Sequence, residues 1–258
     1  MYIINYMPDR PSIRDGLDLD RSCVFLDVDG TLLDLVKSPE QVQVPPPLVA
    51  DLGRLLRRLD GALALVSGRP IAQLDALFRP LRLPASGVHG VELRLDGQSL
   101  QRRDCALEEI HKVRGAAEEL IAGLDGARLE LKPSAVAVHY RGQPDAEDEL
   151  RAGMRALAAC HRAQFALIDG DKVLELVPRG CTKSGAIEEF MGVEPFRSRR
   201  PCYLGDDTTD FGAFETVRRY NGMDVAVGNR VTARWHLSNP AEVRRWISEL
   251  AASARGSS

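Results

Sequence analysis

Cysteine is sparse and scattered in this 258-residue chain. Cys23, Cys105, Cys160, Cys181 and Cys202 form no C-x-x-C pair and no metal-ligand spacing. That excludes a disulfide framework or a zinc site built on thiolates and suits reduced thiols in a cytoplasm-like compartment. No apolar run is long enough to span a bilayer. Residues 1–20 carry acids and prolines where a signal peptide needs a basic start and an apolar core. Positive charge is not in excess either: 34 Lys+Arg against 37 Asp+Glu leave a net charge of −3. No global field is therefore available to hold a nucleic-acid backbone, and any anion must be held by local groups or a metal. No heptad or dedicated apolar stripe marks a helical partner surface. These absences lead to the expectation of a cytoplasmic monomer without nucleic-acid or membrane partners. What is present, 44% hydrophobic and 28% charged residues, is ordinary for a globular chain of one large or two smaller domains.

The apolar pattern predicts an α/β fold. SCVFLDV (22–28) reads as a buried strand, and LVADLGRLLRRL (48–59) follows three prolines with leucines at helical spacing. ALALV (62–66) reads as a second strand, leading through Ser67-Gly68-Arg69 to a helix opened by Pro70. A third apolar segment arrives at Val88. This order implies right-handed crossovers and a parallel sheet. The rhythm then changes. Residues 104–124 and 144–162 read as helices, each followed by a hairpin: 129–132 with 135–140 about Pro133-Ser134, and 165–168 with 172–177 about Asp169-Gly170. Two helix–hairpin units make a small α+β layer with one sheet face free, suited to a lid. From Thr182 the parallel pattern resumes: a helix (182–192), the strand CYLGDD (202–207), a helix after Thr208, the strand DVAVG (224–228) and a last helix (241–253). The chain is thus expected to form a core from residues 1–95 and 179–258, interrupted by an inserted layer at 96–178.

Four short segments carry the polar chemistry, and all fall at predicted strand ends or adjoining helix starts, where parallel sheets bind ligands. Asp27-Val28-Asp29-Gly30-Thr31-Leu32 places two carboxylates two residues apart, which repel unless a cation or a shared proton separates them; Gly30 permits close backbone approach. Ser67-Gly68-Arg69 offers a hydroxyl and backbone N–H groups to a phosphate. Lys183 stands in the first turn of a helix, against the macrodipole, a placement that makes sense if it faces an anion. Gly205-Asp206-Asp207-Thr208-Thr209-Asp210 holds three carboxylates in five residues, which suits a hard cation. Taken singly, each has a structural alternative: an Asx turn, an N-cap, a solvated lysine, a helix cap. Their common placement favours a site.

In that order these segments resemble the four motifs of the haloacid dehalogenase superfamily, a Rossmann-like parallel-sheet core with, in this group, an inserted αββαββ cap of the C2B type. Within it the chain is most similar to trehalose-6-phosphate phosphatases, on the strength of Gly87-Val88-His89-Gly90, Glu130-Leu131-Lys132, His139-Tyr140-Arg141, Glu175 with Pro178, and GDDTTD. The resemblance implies a Mg²⁺-dependent phosphatase. Asp27 is then the nucleophile that becomes an aspartyl-phosphate, and Asp29 the general acid and base. Gly30, Ser67, Gly68 and Lys183 hold the phosphate. Asp27, Asp29 (through its carbonyl) and Asp206 bind the metal, supported by Asp207 and Asp210. Glu130, Lys132, His139, Arg141 and Glu175 are the expected sugar contacts. On alternating strands Glu130 and Lys132 share one face, as do His139 and Arg141.

Two positions depart from the family pattern. Asp171 stands where a lysine often follows the second cap turn, with Lys172 next, and Phe211 stands where many relatives carry an acid. The first keeps other sugar phosphates open as substrates (sucrose phosphate, glucosylglycerol phosphate, mannosylglycerate phosphate), with a phosphohexomutase as a remoter alternative. Of the histidines, His111, His161 and His236 are read as unpaired or in loops. His89, between two turn glycines, is expected to make a structural hydrogen bond to backbone.

Overall fold

The computed structural model describes residues 13, 17–36, 42–96, 99–102, 107–131, 135–170, 172–179 and 181–253. Lys132, Pro133, Ser134, Asp171 and Cys105 lie outside these, so the expectations placed on them have no structural counterpart here.

The core is an eight-stranded sheet in the order β12-β11-β10-β1-β2-β3-β4-β5. Its strands are β1 (Ser22–Leu26), β2 (Leu63–Val66), β3 (Ala85–Gly87), β4 (Glu92–Arg94), β5 (Gln101–Arg102), β10 (Arg200–Gly205), β11 (Met223–Val227) and β12 (Trp235–Leu237). From β12 to β3 every pairing is parallel, while β4 and β5 add an antiparallel edge. SCVFL and LALV are buried along their whole length, as continuous apolar strands covered on both faces must be. Helix α1 (Pro46–Arg58) opens on prolines that need no N–H partner, buries Leu48, Leu52 and Leu55, and ends with Arg57 and Arg58. It packs against α7 (Pro240–Ala252), α2 (Ile71–Leu77) follows β2, and α5 (Lys183–Met191) packs against α6 (Phe211–Arg219).

Between β5 and α5 lies a second sheet, order β6-β7-β9-β8, all antiparallel: β6 (Arg128–Leu131), β7 (Val136–His139), β8 (Phe165–Gly170) and β9 (Val173–Pro178). Helices α3 (Leu107–Ile121) and α4 (Glu147–Cys160) cover one of its faces, where Val136, Val138, Leu174 and Leu176 join Ile110, Val113, Leu150 and Met154 in a core separate from that of the large sheet. A third, small cluster (Val88, Val91, Ala135, Val177, Cys181) fills the seam between the two sheets.

The structure moves several expected boundaries. β1 and β10 stop one residue short of Asp27 and Asp206, so both acids begin loops rather than end strands. The third core strand is Ala85–Gly87, not a segment at Val88, which instead starts a tight turn. The chain leaves the large sheet after Arg102 rather than at 96, because β5 pairs with β4. β8 runs through Asp169 and Gly170, the residues expected to form the hairpin turn, since both still pair with β9. His236 lies in β12, not in a loop, and its Nε2 meets the Gly228 carbonyl; His161 Nδ1 is 3.2 Å from Glu109 and so has a partner.

Candidate active site

The loops after β1, β2 and β10 and the start of α5 meet at the carboxyl end of the parallel strands. There β1 lies between β10 and β2, and the chain order reverses. Asp27, Ser67, Lys183, Asp206 and Asp210 are all buried here. Lys183 Nζ lies 2.9 Å from Asp27 Oδ1 and 2.6 Å from Asp210 Oδ1. The short α5 delivers it: Thr182 caps the helix by accepting from the Gly185 N–H, and Lys183 is the first helical residue. Its ammonium is held at a helix N-terminus by two carboxylates that outweigh both burial and the helix dipole.

Asp210 orders the fourth segment. Its Oδ2 accepts the backbone N–H groups of Asp206 (2.8 Å) and Asp207 (3.0 Å), and its Oδ1 accepts from Lys183 and from the Tyr203 hydroxyl. With Asp207 capping the same turn, the two acids form a reciprocal capping box. Every lone pair of Asp210 that faces the site is thus committed, and it acts as a frame for Asp206. Thr31 Oγ1 donates to Asp206 Oδ1 at 3.0 Å. Gly30, expected to offer its N–H to phosphate, donates instead to the Leu33 carbonyl at 2.8 Å. What Gly30 supplies is room: it adopts φ +84°, and a Cβ there would lie 2.0 Å from Asp206 Oδ2.

The charges are graded by their surroundings. Burial, and the nearby acids Asp210 and Asp206, push the Asp27 carboxyl well above its usual range against the pull of Lys183. Burial raises Asp206 as well, against the opposing guanidinium of Arg230. For Asp210 burial also works upward, but Lys183 and the donated hydrogen bonds overcome it and hold the carboxyl low. Lys183 is the mirror case: burial disfavours its charge, and Asp210 and Asp27 more than restore it. Two acids therefore resist ionisation where a third is held ionised.

Among the described residues, Asp27, Asp206 and Asp210 offer oxygens within 4.8 Å of one another. This all-carboxylate donor set suits a hard divalent cation. Asp210 is saturated, so Asp27 and Asp206 are the acids able to ligate. An added cation would also lift the unfavourable upward shift that both carry. The residues present fit such an ion.

Asp29 turns the other way. Arg69 Nε and Nη2 grip its two oxygens at 2.6 and 2.7 Å, a bidentate pair that fixes the plane of the carboxylate. The Arg69 N–H in turn donates to Ser67 Oγ at 3.1 Å, so the hydroxyl braces its own loop and keeps its hydrogen for another acceptor. At the helix behind this loop, the Ile71 N–H donates to Glu92 Oε2.

Above these groups is a cavity of about 460 Å³, lined on one side by Asp27, Asp29, Ser67, Arg69, Lys183 and Asp207 and on the other by the inner face of the small sheet. That size lies in the roughly 300–1,000 Å³ range of small-molecule sites. The expectation of a free sheet face is met in detail by the strand register. Across β6, β7, β9 and β8 one row runs Glu130, Ala137, Glu175, Ile168, and the next runs Arg128, His139, Val173, Gly170. Glu130, His139, Arg141 and Glu175 all line the cavity. Glu130 Oε2 and His139 Nε2 are 2.8 Å apart, and Glu175 Oε2 meets His89 Nε2 at 2.9 Å. Lys172, beside the unusual Asp171, lines the cavity but is paired with Glu147 and lies over the Tyr140 ring. Thr208 Oγ1 reaches the Asp169 carbonyl at 3.3 Å, joining the tip of this sheet to the fourth segment.

The sequence patterns had not singled out Arg69 as the partner of Asp29, Arg128 and Arg230 as cavity-lining cations, or Tyr203 as a donor to Asp210. Arg69 was visible inside Ser67-Gly68-Arg69. Arg128 shares the alternation that exposed Glu130. Arg230, which pairs with Asp206, comes from the loop after β11 and has no local signal. Phe211 is half exposed at the start of α6, beyond the site.

A parallel-sheet core with an Asp-x-Asp loop, a serine, a lysine and an acidic loop at its strand ends, roofed by an inserted α/β layer, is the plan of a haloacid dehalogenase-type phosphatase. A model of the trehalose-phosphatase family matches residues 25–243. The chain is 40% identical over 230 residues to the trehalose-6-phosphate phosphatase of Escherichia coli K12, covering 88% of this chain and 85% of that one. It is 39% identical to a probable trehalose-phosphate phosphatase of Sinorhizobium fredii, with 84% and 81% covered. Among solved structures, the C-terminal domain of the Candida albicans trehalose-6-phosphate phosphatase shares the fold with a TM-score of 0.81 at 22% identity, over 90% of this chain and 93% of that one. A trehalose-6-phosphate phosphatase related protein superposes with a TM-score of 0.75 at 25% identity, over 89% and 97%. The chain belongs to the trehalose-phosphatase family.

Proposed function

We propose that this protein hydrolyses trehalose 6-phosphate to trehalose and phosphate through an aspartyl-phosphate on Asp27. The observation that carries the reading is the meeting, across one cavity, of a buried Asp27–Lys183–Asp210 charge cluster and a sheet face that presents polar side chains. The first suits a phosphoryl group and the second a hydroxyl-rich sugar.

In this mechanism the Asp27 carboxylate attacks phosphorus, and Lys183 and the Ser67 hydroxyl hold phosphoryl oxygens as charge develops. Asp29, entering the step protonated and freed from one arm of Arg69, gives its proton to the departing sugar oxygen, and as the carboxylate so formed takes one from the water that cleaves the acyl-phosphate. Asp27, the Asp29 carbonyl and Asp206 would hold Mg²⁺, which supplies charge to screen the phosphate dianion from the attacking carboxylate. Asp207 and Asp210 support these groups from behind. Glu130, His139, Arg141 and Glu175 contact the sugar, and Lys132 is assigned with them from sequence alone. The two sheets are read as two domains: a catalytic core, and a cap that begins after Arg102 and ends near 178. The reading includes a cytoplasmic monomer, a location that suits cysteines scattered in sequence without paired spacing. No helix among the described residues is long and apolar enough to cross a membrane.

A panel of sugar phosphates assayed for released phosphate tests the substrate. Trehalose 6-phosphate should be turned over far faster than sucrose phosphate, glucosylglycerol phosphate or glucose 6-phosphate. Equal rates across the panel would remove the assignment to trehalose. Chelation should silence the enzyme and added Mg²⁺ restore it.

A further inference from the structure

The turn Gly87-Val88-His89-Gly90 is not used by the mechanism above, yet it touches the Ser67–Arg69 loop, the residue before Lys183 and the small sheet. Val88 and His89 have φ of 48° and 53°, consecutive non-glycine residues in the left-handed region, one of them β-branched. Such a conformation persists only where its surroundings over-determine it, and it gathers at functional sites. Here the surroundings can be named. The Val88 N–H donates to the Arg69 carbonyl and the His89 N–H to the Ser67 carbonyl, each at 3.1 Å. The His89 ring lies over Gly68, where a Cβ would come within 2.6 Å of Nε2. Gly90 packs on the backbone of Thr182, the residue before Lys183, leaving no room for a Cβ there. The Val88 side chain sits in the seam between the sheets, with Ala135, Val177 and Cys181.

Supporting the Ser67–Arg69 loop needs only this backbone. The side chain does something else. His89 is 8% exposed, and its Nε2 reaches across the seam to Glu175 Oε2 at 2.9 Å, while Nδ1 has no partner. A carboxylate can only accept, so Nε2 is the donor. Glu175 stands mid-sheet on β9, its cross-strand neighbours Ala137 and Ile168 both apolar. The ring therefore does not make the expected bond to backbone, which only the His89 main-chain N–H does; it is aimed at a carboxylate of the sugar-binding face.

We infer that His89 is a positioning residue for sugar recognition: its ring holds the Glu175 carboxylate in the orientation the sugar meets, and its backbone ties that orientation to the loop that holds the phosphate. The two ends of one substrate are thereby kept in a single register. This rests on the reading of Glu175 as a sugar contact, and the experiment separates the two. Turnover of trehalose 6-phosphate and of p-nitrophenyl phosphate is measured for His89→Ala, His89→Gln, Glu175→Gln and the double variant His89→Ala/Glu175→Gln, with melting temperatures to confirm folding. Loss of a hydrogen bond to a charged group typically costs about 10–100-fold. His89→Ala should therefore lower kcat/KM for trehalose 6-phosphate by about that factor, chiefly through KM, and leave p-nitrophenyl phosphate within about twofold. His89→Gln, whose amide can donate from a similar place, should recover part of the loss. The double variant should be no worse than Glu175→Gln alone, because both act through one carboxylate. Multiplicative losses in the double variant, or equal losses on both esters for His89→Ala, would overturn the inference while leaving Glu175 in place. A Glu175→Gln enzyme unchanged on trehalose 6-phosphate would overturn both.

Discussion

The two ends of the cavity are built on different physical terms. At the core end Lys183 and Asp210 are buried and held by several groups, two carboxylates and four donors respectively, while the partly exposed Asp29 is gripped by both arms of Arg69. At the cap end Glu130 and His139 are half-buried and paired with each other, Arg141 is exposed, and the buried Glu175 pairs with His89. Removing one partner from a buried network leaves an uncompensated charge, whereas removing one from a half-exposed pair leaves a group that water can reach. The core end is thus held at many points, and the cap end can be altered without collapse.

The comparison is broken most severely at Asp27. Asp27→Asn should abolish phosphate release while the protein stays folded, since Lys183 keeps Asp210 as its partner. Circular dichroism and a phosphate assay on the same sample check both halves. Next in size is Lys183→Met, which strands Asp27 and Asp210 without a cation. Breaking a buried pair in this way costs roughly 3–5 kcal/mol, to be read by urea unfolding, and turnover should vanish as well. Adding Asp210→Asn to that variant should restore part of the stability and none of the activity. At the cap end, Glu130→Gln removes a charged hydrogen-bond partner worth about 1.5–3 kcal/mol. Trehalose 6-phosphate turnover should fall roughly 10–100-fold by kcat/KM, with p-nitrophenyl phosphate little changed and unfolding barely moved. A parallel loss on both esters would erase the contrast between the two ends.

The smallest expected effect is a pH dependence. Without a cation, Asp27 and Asp206 have folded-state pKa values raised by burial. The stability this gives is fully present below their unfolded pKa, about 4, and is lost as pH rises through the folded values. Asp210, held low chiefly by Lys183 against burial, contributes with the opposite sign: its share is present above that unfolded value and lost in acid below it. Mg²⁺ should therefore raise the melting temperature by a few degrees at neutral pH and by less at pH 5, where Asp27 and Asp206 are more protonated. A shift independent of pH would contradict the assignment of these acids as ligands.

How much of this was legible in the chain follows the same division. The strand ends carrying Asp27, Ser67 and Asp206 were readable because uninterrupted apolar runs stop at polar loops, and Lys183 because a cation in a helix first turn needs a reason. The inner face of the small sheet was readable from the family resemblance, with alternation as support for Glu130, His139 and Arg141, and these three line the cavity together with Glu175. What stayed hidden depends on contacts between segments distant in sequence. Nothing near Gly30 says that its N–H goes to Leu33, and nothing near Arg230 says that it reaches Asp206. Strands β4, β5 and β12 are two or three residues long, too short for a period to register. His89 and Glu175 are 86 residues apart, and only the packing of one sheet on the other brings them together.

The most direct test is to quench the enzyme during turnover of trehalose 6-phosphate and map the phosphoryl group by mass spectrometry of the peptides. The account places it on the side chain of Asp27, with none on Asp29 and none at all in the Asp27→Asn protein. A fully active enzyme that never carries an adduct on Asp27, or that carries one elsewhere, would contradict it.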